Sequence, residues 1–294
     1  MTTQIVIHVL PYEIDQLEQI LILLKKSSKY LSSDCEILVD VVLNVNLNDW
    51  DKSILPKEFF VDKFNQLEQL TKTWSLTNFK INNDESILGC VSYRRKVFKE
   101  TQADNILILD TDITFSDSML YHLINGSNII KDITPYYILT PQIPKMWDDS
   151  WDCIVNNKFI SESPGENFKN RDPYIEAGCL GEVSIKPVDN FKFGGGWGTL
   201  ISAELLKKIP IPDSLGHYGL EDTYIMICSS FLKQKGFNIV QYVLENEVLV
   251  EDNKFRFSPY KKYLTNIDKR EEFKKIAHEN FQKELNKFGN LINN

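Results

Sequence analysis

The sequence predicts an α/β fold in which parallel strands are joined by helical crossovers that cover both faces of the sheet. Three observations predict it. Short runs rich in Val, Ile and Leu alternate with segments whose apolar residues recur at helical spacing. Those runs are apolar throughout, as strands buried on both faces are. The 294 residues, 43% hydrophobic and 12% aromatic, are enough for one large domain or two smaller ones, each with a sizeable core.

Ile5 to Leu10 is the first β-branched run, and after Pro11 the spacing of Ile14, Leu17, Ile20, Leu21 and Leu24 predicts a helix. Glu36 to Val45 (EILVDVVLNV) reads as a second strand, Ser86 to Thr101 as a helix, Asn105 to Leu109 (NILIL) as a strand, and Tyr136 to Thr140 as another, stopped by Pro141. From Ile143 to Asn190 periodicity is lost among scattered Pro and Gly. So long an irregular stretch within a compact domain points to a functional loop, and its Trp, Tyr and Phe argue against disorder. Regularity returns at FKFGGGWGTLIS (191–202), then a helix capped by Ser202 and running to Lys208, with Pro210 and Pro212 beyond it. Thr223 to Lys235 reads as a helix closed by Gly236, and FNIVQYV as a strand. The tail, Ile267 to Phe288, is a charged amphipathic helix expected to pack on the domain through Phe273, Ile276, Phe281, Leu285 and Phe288.

Charge and composition remove several classes of function. With 33 Lys plus Arg against 41 Asp plus Glu the net charge is −8, and no basic run offers a footprint for a nucleic acid. No transmembrane segment is expected, since the longest apolar helical run, Ile20 to Leu24, stops at Lys25. The N-terminus lacks a basic leader region, so the expected location is cytoplasmic, free or peripheral to a membrane. Cysteines 35, 90, 153, 179 and 228 are odd in number and form no CxxC, which favours free thiols over disulfides or a zinc knot.

Three constellations could carry chemistry. NILILDTDITF delivers Asp110 and Asp112 at the carboxyl end of an apolar strand, the edge where ligands bind in open α/β sheets. Two carboxylates that close repel one another unless a hard divalent cation such as Mg²⁺ or Mn²⁺ sits between them, and the alternative is a structural cap after the strand. A second DxD, Asp49 to Asp51, lies in a polar, turn-like stretch and is discounted. GHYGLEDTYI places Glu221 and Asp222 in a first helical turn, where acids are favoured by the exposed amides; a carboxylate held there is also positioned to act as a general base. FGGGWG is no phosphate loop, because no GK[ST] follows; it is either a tight bulge or a place for a ligand to approach the backbone beside Trp197. Of the histidines, His8 reads as a core residue and His122 as helical. His278 falls on the tail helix, and His217 shortly precedes the Glu221–Asp222 pair.

In order, a strand ending in DTD, an FGG loop leading to a Ser-capped helix, and a GLED helix start resemble glycosyltransferases of the GT-A fold. The C-terminal half is similar to the galactosyltransferase-type module, with Gly195 and Glu221 26 residues apart. The N-terminal half is similar to family 2 enzymes, which carry an Arg on the helix before the metal strand, matched by Arg94, 16 residues before Asp110. The resemblance implies a mixed sheet flanked by helices in one catalytic domain, 1–265, divided into a nucleotide-binding half, 1–142, and an acceptor-binding half, 143–265. The tail helix, 266–294, is packed on it. The implied activity is a metal-dependent hexosyltransferase (EC 2.4 type) using Mn²⁺ or Mg²⁺ to move a sugar, with inversion, from a UDP- or GDP-sugar to a hydroxyl of a glycan, lipid-linked or protein acceptor. Asp112 would ligate the metal, and Asp110 would contact it through water or bind the ribose. Arg94 would face the diphosphate, and Gly195, Gly196 and Trp197 would line the donor and acceptor sites. Asp222 would be the base, and Glu221 would hold the acceptor or its loop.

The sequence departs from the family where a His ligand is common, about thirty residues beyond the ED pair. Here stands VLVEDNKF, so Glu251 or Asp252 would replace it, or else form a solvated turn. Two rivals remain. ILDTDIT also fits a haloacid-dehalogenase-like phosphatase with Asp110 as nucleophile, but that family places its motif early in the core and needs a later Lys and acidic pair. A non-catalytic sugar-binding protein on the same frame would have less use for both intact acidic pairs.

Overall fold

The computed structural model describes residues 1–9, 13–44, 56–72, 77–82, 89–111, 113–142, 178–188, 197–251 and 268–293. Strands β1 (Thr2–Val9), β2 (Glu36–Asn44), β3 (Thr77–Asn82) and β4 (Asn105–Leu109) alternate with helices α1 (Ile14–Ser28), α2 (Lys57–Lys72) and α3 (Cys90–Glu100). The second half adds β5 (Ile113–Thr114), α4 (Met119–Lys131), β6 (Tyr136–Gln142), β7 (Gly178–Val188), β8 (Trp197–Ser202), α5 (Ala203–Lys208), α6 (Glu221–Gln234), β9 (Ile239–Val248), β10 (Val250–Glu251) and α7 (Asp268–Leu291). Eight strands form one sheet in the order β3-β2-β1-β4-β8-β6-β9-β7, and β5 pairs with β10 apart from it.

The sheet is mixed. β3, β2, β1 and β4 are parallel neighbours, as their helical crossovers require, but β8 enters antiparallel between β4 and β6, and β7 runs antiparallel on β9. The mixed sheet that the resemblance implies is found, with β1 to β4 as its parallel part. The reading of 143–190 as a stretch without periodicity is corrected at 178–188, which is β7. Its polar residues fit this place, because an edge strand exposes one side to solvent. Elements α2 and β3 lie in stretches with no marked apolar run and have no counterpart in the sequence reading.

Strand alternation divides the core into two layers. Ile5, Ile7 and Val9 of β1, with Leu107 and Leu109 of β4, face α1, α2 and α4; Val6, Ile106 and Ile108 face α3, α5, α6 and α7. Every residue of β4 is buried, which accounts for its uniformly apolar sequence. The Ser202 hydroxyl caps α5, accepting from the Leu205 amide at 3.3 Å. Helix α7 seats Phe273, Ala277, Leu285 and Phe288 against α6 and the turn at Asp213–Leu215. Among the described residues no helix is long and apolar enough to cross a membrane.

The connections leave β1 toward β2 and β3, then return through α3 to β4 on the other side of β1. Open sheets bind ligands at such a reversal, beyond the carboxyl ends of the flanking strands. Asp110 is the first residue after β4.

Candidate active site

The site is organised around Arg94. It lies in the middle of α3, whose apolar face (Val91, Val97, Phe98) packs into the second core layer and turns the guanidinium inward, where it is 4% exposed. Nη1 donates to Glu221 Oε1 at 2.5 Å and Nη2 donates to Asp110 Oδ1 at 2.6 Å. One buried cation thus joins the end of β4 to the start of α6, two points 111 residues apart in the chain. Burial works against its charge, but Cys90, Asp110 and Glu221 together hold its pKa well above the ordinary arginine value. Its Nε is buried without a hydrogen-bond partner among the described residues.

The start of α6 is built by unusual backbone. Gly216 (φ 75°) and Gly219 (φ 91°) make left-handed turns at no steric cost, but Leu220 (φ 66°) does so with a branched side chain, a strain of about 1–3 kcal/mol. Leu220 offers no side-chain cap. The first-turn amides are served partly by Asp222 itself, whose Oδ1 accepts from the Thr223 amide at 2.6 Å and from its hydroxyl at 3.2 Å. Glu221 is buried and turned to Arg94, whereas Asp222 is half-buried and has no ion pair among the described residues. The Asp222 carboxyl is pushed up to about 8, first by burial and then by the Glu221 charge, while Thr223 and Arg94 pull the other way.

Around this pair α3 and the 212–219 turn are stitched together. Arg95 donates to the carbonyls of Pro212 and Gly216, each at 2.9 Å, and Ser92 Oγ lies 2.6 Å from His217 Nδ1. Burial first, and Arg95 second, lower the His217 pKa, which favours the neutral ring. The His217 carbonyl accepts from the Val91 amide at 3.2 Å, so close to Gly89 that a Cβ there would lie 2.0 Å from that oxygen. Gly89→Ala therefore forces backbone apart from backbone. The expected result is a loss of about 1–3 kcal/mol, read by urea unfolding, with a rise in proteolytic cleavage in the 212–220 turn.

The predicted site residues are brought together in part. Arg94, Asp110, Glu221 and Asp222 converge. Asp112, Gly195, Gly196 and Asp252 lie outside the described residues, as do the side chains of Trp197 and Glu251. Backbone register still places two of these segments. Trp197 pairs with Leu109, the residue before Asp110, and Glu251 pairs with Ile113, the residue after Asp112. Gly198 is the extra residue where the β4–β8 ladder shifts, with φ 69° and room for no Cβ, which would lie 2.9 Å from Leu249 Cδ1. At that position the glycine serves as a strand bulge, and 197–202 is a strand where the sequence read a loop leading to a helix. Glu221 grips Arg94, a partner the sequence reading had not given it; the helical position of Arg94 facing a later acid was the available signal. The Ser92–His217 contact and the role of Gly89 had no signal, since neither residue is near the other in sequence.

A divalent cation fits the Asp110 end of the site. Asp110 presents a hard carboxylate whose side chain is 38% exposed, and Arg94 takes only Oδ1. Strand β10 pairs with β5, which begins three residues after Asp110, so the Glu251 backbone lies beside Ile113.

No protein-family model matches the chain, and no curated protein sequence matches it. Solved structures with a similar chain path include Staphylococcus aureus TarS residues 1–349 (TM-score 0.47, 13% identity), covering 86% of this chain and 60% of that one. The same TarS fragment in complex with UDP-GlcNAc gives a TM-score of 0.49 at 12% identity, covering 86% and 59%. A mycobacterial protein gives 0.44 at 13% identity, covering 86% and 67%. The chain spans about three-fifths of the length of the TarS fragments it matches.

Proposed function

We propose that this chain transfers a sugar from a nucleoside-diphosphate sugar to an acceptor hydroxyl, with inversion at the anomeric carbon. The observation that supports this reading is the two-ended ion pair of Arg94. It ties an accessible carboxylate at a strand end to a helix-borne acidic pair, at the point where the strand order reverses. The first would hold a cation that takes up the diphosphate's charge, and the second supplies a base.

In this reading Asp110 and Asp112 hold Mn²⁺ or Mg²⁺, with Glu251 or Asp252 completing the set. Such an ion, when bound, supplies charge neutralisation for the departing diphosphate. Asp222 takes the proton of the acceptor hydroxyl as its oxygen bonds to the anomeric carbon, and the bond from that carbon to the diphosphate oxygen breaks. A carboxyl poised near 8 is matched to that proton transfer at neutral pH, being both partly ionised and basic. In this reading Glu221, buried against Arg94, acts by positioning that guanidinium, which in turn orients Asp110. Gly195, Gly196 and Trp197 line the donor sugar in this reading, which the pairing of the Trp197 backbone with Leu109 supports. The acceptor is a glycan, a lipid-linked sugar or a protein.

Thermal unfolding with UDP-, GDP- and CMP-sugars in the presence of Mn²⁺ tests the reading. One donor at a hundredfold excess over its Kd should raise the midpoint by about 5–10 °C, and EDTA should abolish both the shift and release of the nucleotide. No shift with any donor, or turnover indifferent to EDTA, overturns it.

A further inference from the structure

A second group of ligand-type side chains lies in no part of the site above. His122 in α4, Cys179 at the start of β7 and Glu247 near the end of β9 place a nitrogen, a sulfur and a carboxylate oxygen within 4.8 Å of one another. The convergence is built into the backbone. Cys179 and Glu247 are register partners across the β7–β9 ladder, which shifts immediately afterwards, between Cys179 and Ser184. Beside it Asn246 adopts a left-handed conformation (φ 70°), held by its amide to Gln142 Oε1 at 2.8 Å and by its side chain to the Glu182 carbonyl at 2.9 Å. This turn allows the Glu247 side chain to enter the protein, where it is wholly buried.

The polar contacts around Glu247 fit a ligand to a metal. The Ser116 hydroxyl donates to Oε1, and Oε2 receives the Ser118 hydroxyl at 3.3 Å and lies 2.5 Å from His122 Nδ1. Among the described residues no Lys or Arg pairs with it, so a buried carboxylate rests on two hydroxyls and an imidazole. Cys179 is exposed, which gives an ion a path in.

We propose that His122, Cys179 and Glu247 form a site for a borderline-soft divalent cation, Zn²⁺ above others, with a fourth position open to water. The thiolate separates it from the oxygen-only Asp110 site, whose chemistry suits Mg²⁺ or Mn²⁺. Two ligands of one tetrahedral zinc stand about 3.3 Å apart, so the His122–Glu247 contact opens by about 1 Å to admit the ion. On binding, the Cys179 thiol gives its proton to solvent and the proton held between His122 Nδ1 and Glu247 leaves to solvent or passes to Nε2, while Ser116 and Ser118 remain to orient the carboxylate. The ion would tie the start of β7 to α4 across the end of β9.

Cobalt substitution tests the site in the full chain after chelator treatment. One equivalent of Co²⁺ should give a thiolate-to-metal charge-transfer band and the visible bands of a tetrahedral ion, both displaced by Zn²⁺. Cys179→Ser should lose the charge-transfer band and weaken Zn²⁺ binding about 100-fold or more in competition with a chromophoric chelator. His122→Gln should weaken it comparably, and Asp110→Asn should leave the band intact. A wild-type chain of native circular dichroism that shows no thiolate band overturns the proposal. So does a band that survives Cys179→Ser, or one that disappears in Asp110→Asn.

Discussion

Replacing Asp222 by Asn should lower kcat by about 10²–10⁴-fold and at the same time make the protein more stable at neutral and alkaline pH. Both effects come from one carboxyl. Its pKa is near 4 in the unfolded chain and about 8 in the folded one, raised first by burial and then by the Glu221 charge. Between those values the folded state binds more protons than the unfolded state, so stability falls as pH rises from about 4 and levels off above 8. Asn has no proton to lose and removes that slope. Midpoints measured from pH 5 to pH 9 should therefore diverge, the variant gaining about 2–4 °C for each kcal/mol recovered. A variant that is less stable than wild type at pH 8, or that keeps full transfer activity, would show that Asp222 is not a strained base.

Arg94→Met should be the most destabilising single change in the site, at about 3–5 kcal/mol. It leaves the Glu221 carboxylate, with 4% of its side chain exposed, buried without its cation. Arg94→Lys should recover little, because an ammonium cannot reach Glu221 and Asp110 with the two arms of a planar fork. The double variant Arg94→Met/Glu221→Leu should regain most of the stability, since both buried charges are then gone, while transfer stays impaired because Asp110 has lost its tether. The coupling energy from that cycle, measured by denaturant unfolding, separates the ion pair from mere packing. Additive single effects would show that Arg94 and Glu221 act independently.

Much of this architecture could be read from the chain alone, and the reasons are local. β4 shows plainly because all five of its residues are buried, and α1 because its apolar stripe recurs at helical spacing. Asp110 and the Glu221–Asp222 pair were visible because position at the end of a buried strand or in a first helical turn is itself a sequence property. What escaped depends on contacts between distant segments. β7 is a polar edge strand, β8 is short and opens on a glycine bulge, and the Gly89–His217 approach joins residues 128 apart. Nor does spacing tell which member of an acidic pair turns inward. Glu221 is drawn in by Arg94, and Asp222 stays half-buried beside it, its carboxyl raised first by burial and then by its neighbour's charge.

The antiparallel entry of β8 between β4 and β6 also sets an order of events during synthesis. The central strand β4 is complete at Leu109, but the strand that covers its second edge ends only at Ser202, 93 residues later. At ribosomal rates that is about 5–20 s in which an apolar strand, already paired with β1, presents unsatisfied amides and carbonyls to its surroundings. A chain released early, anywhere between β4 and β8, keeps that open edge for good and joins to its own copies instead. The strand that closes this edge of β4 also sets the backbone of Trp197 opposite Leu109, so β4 loses its open edge in the same step that brings a second segment beside Asp110.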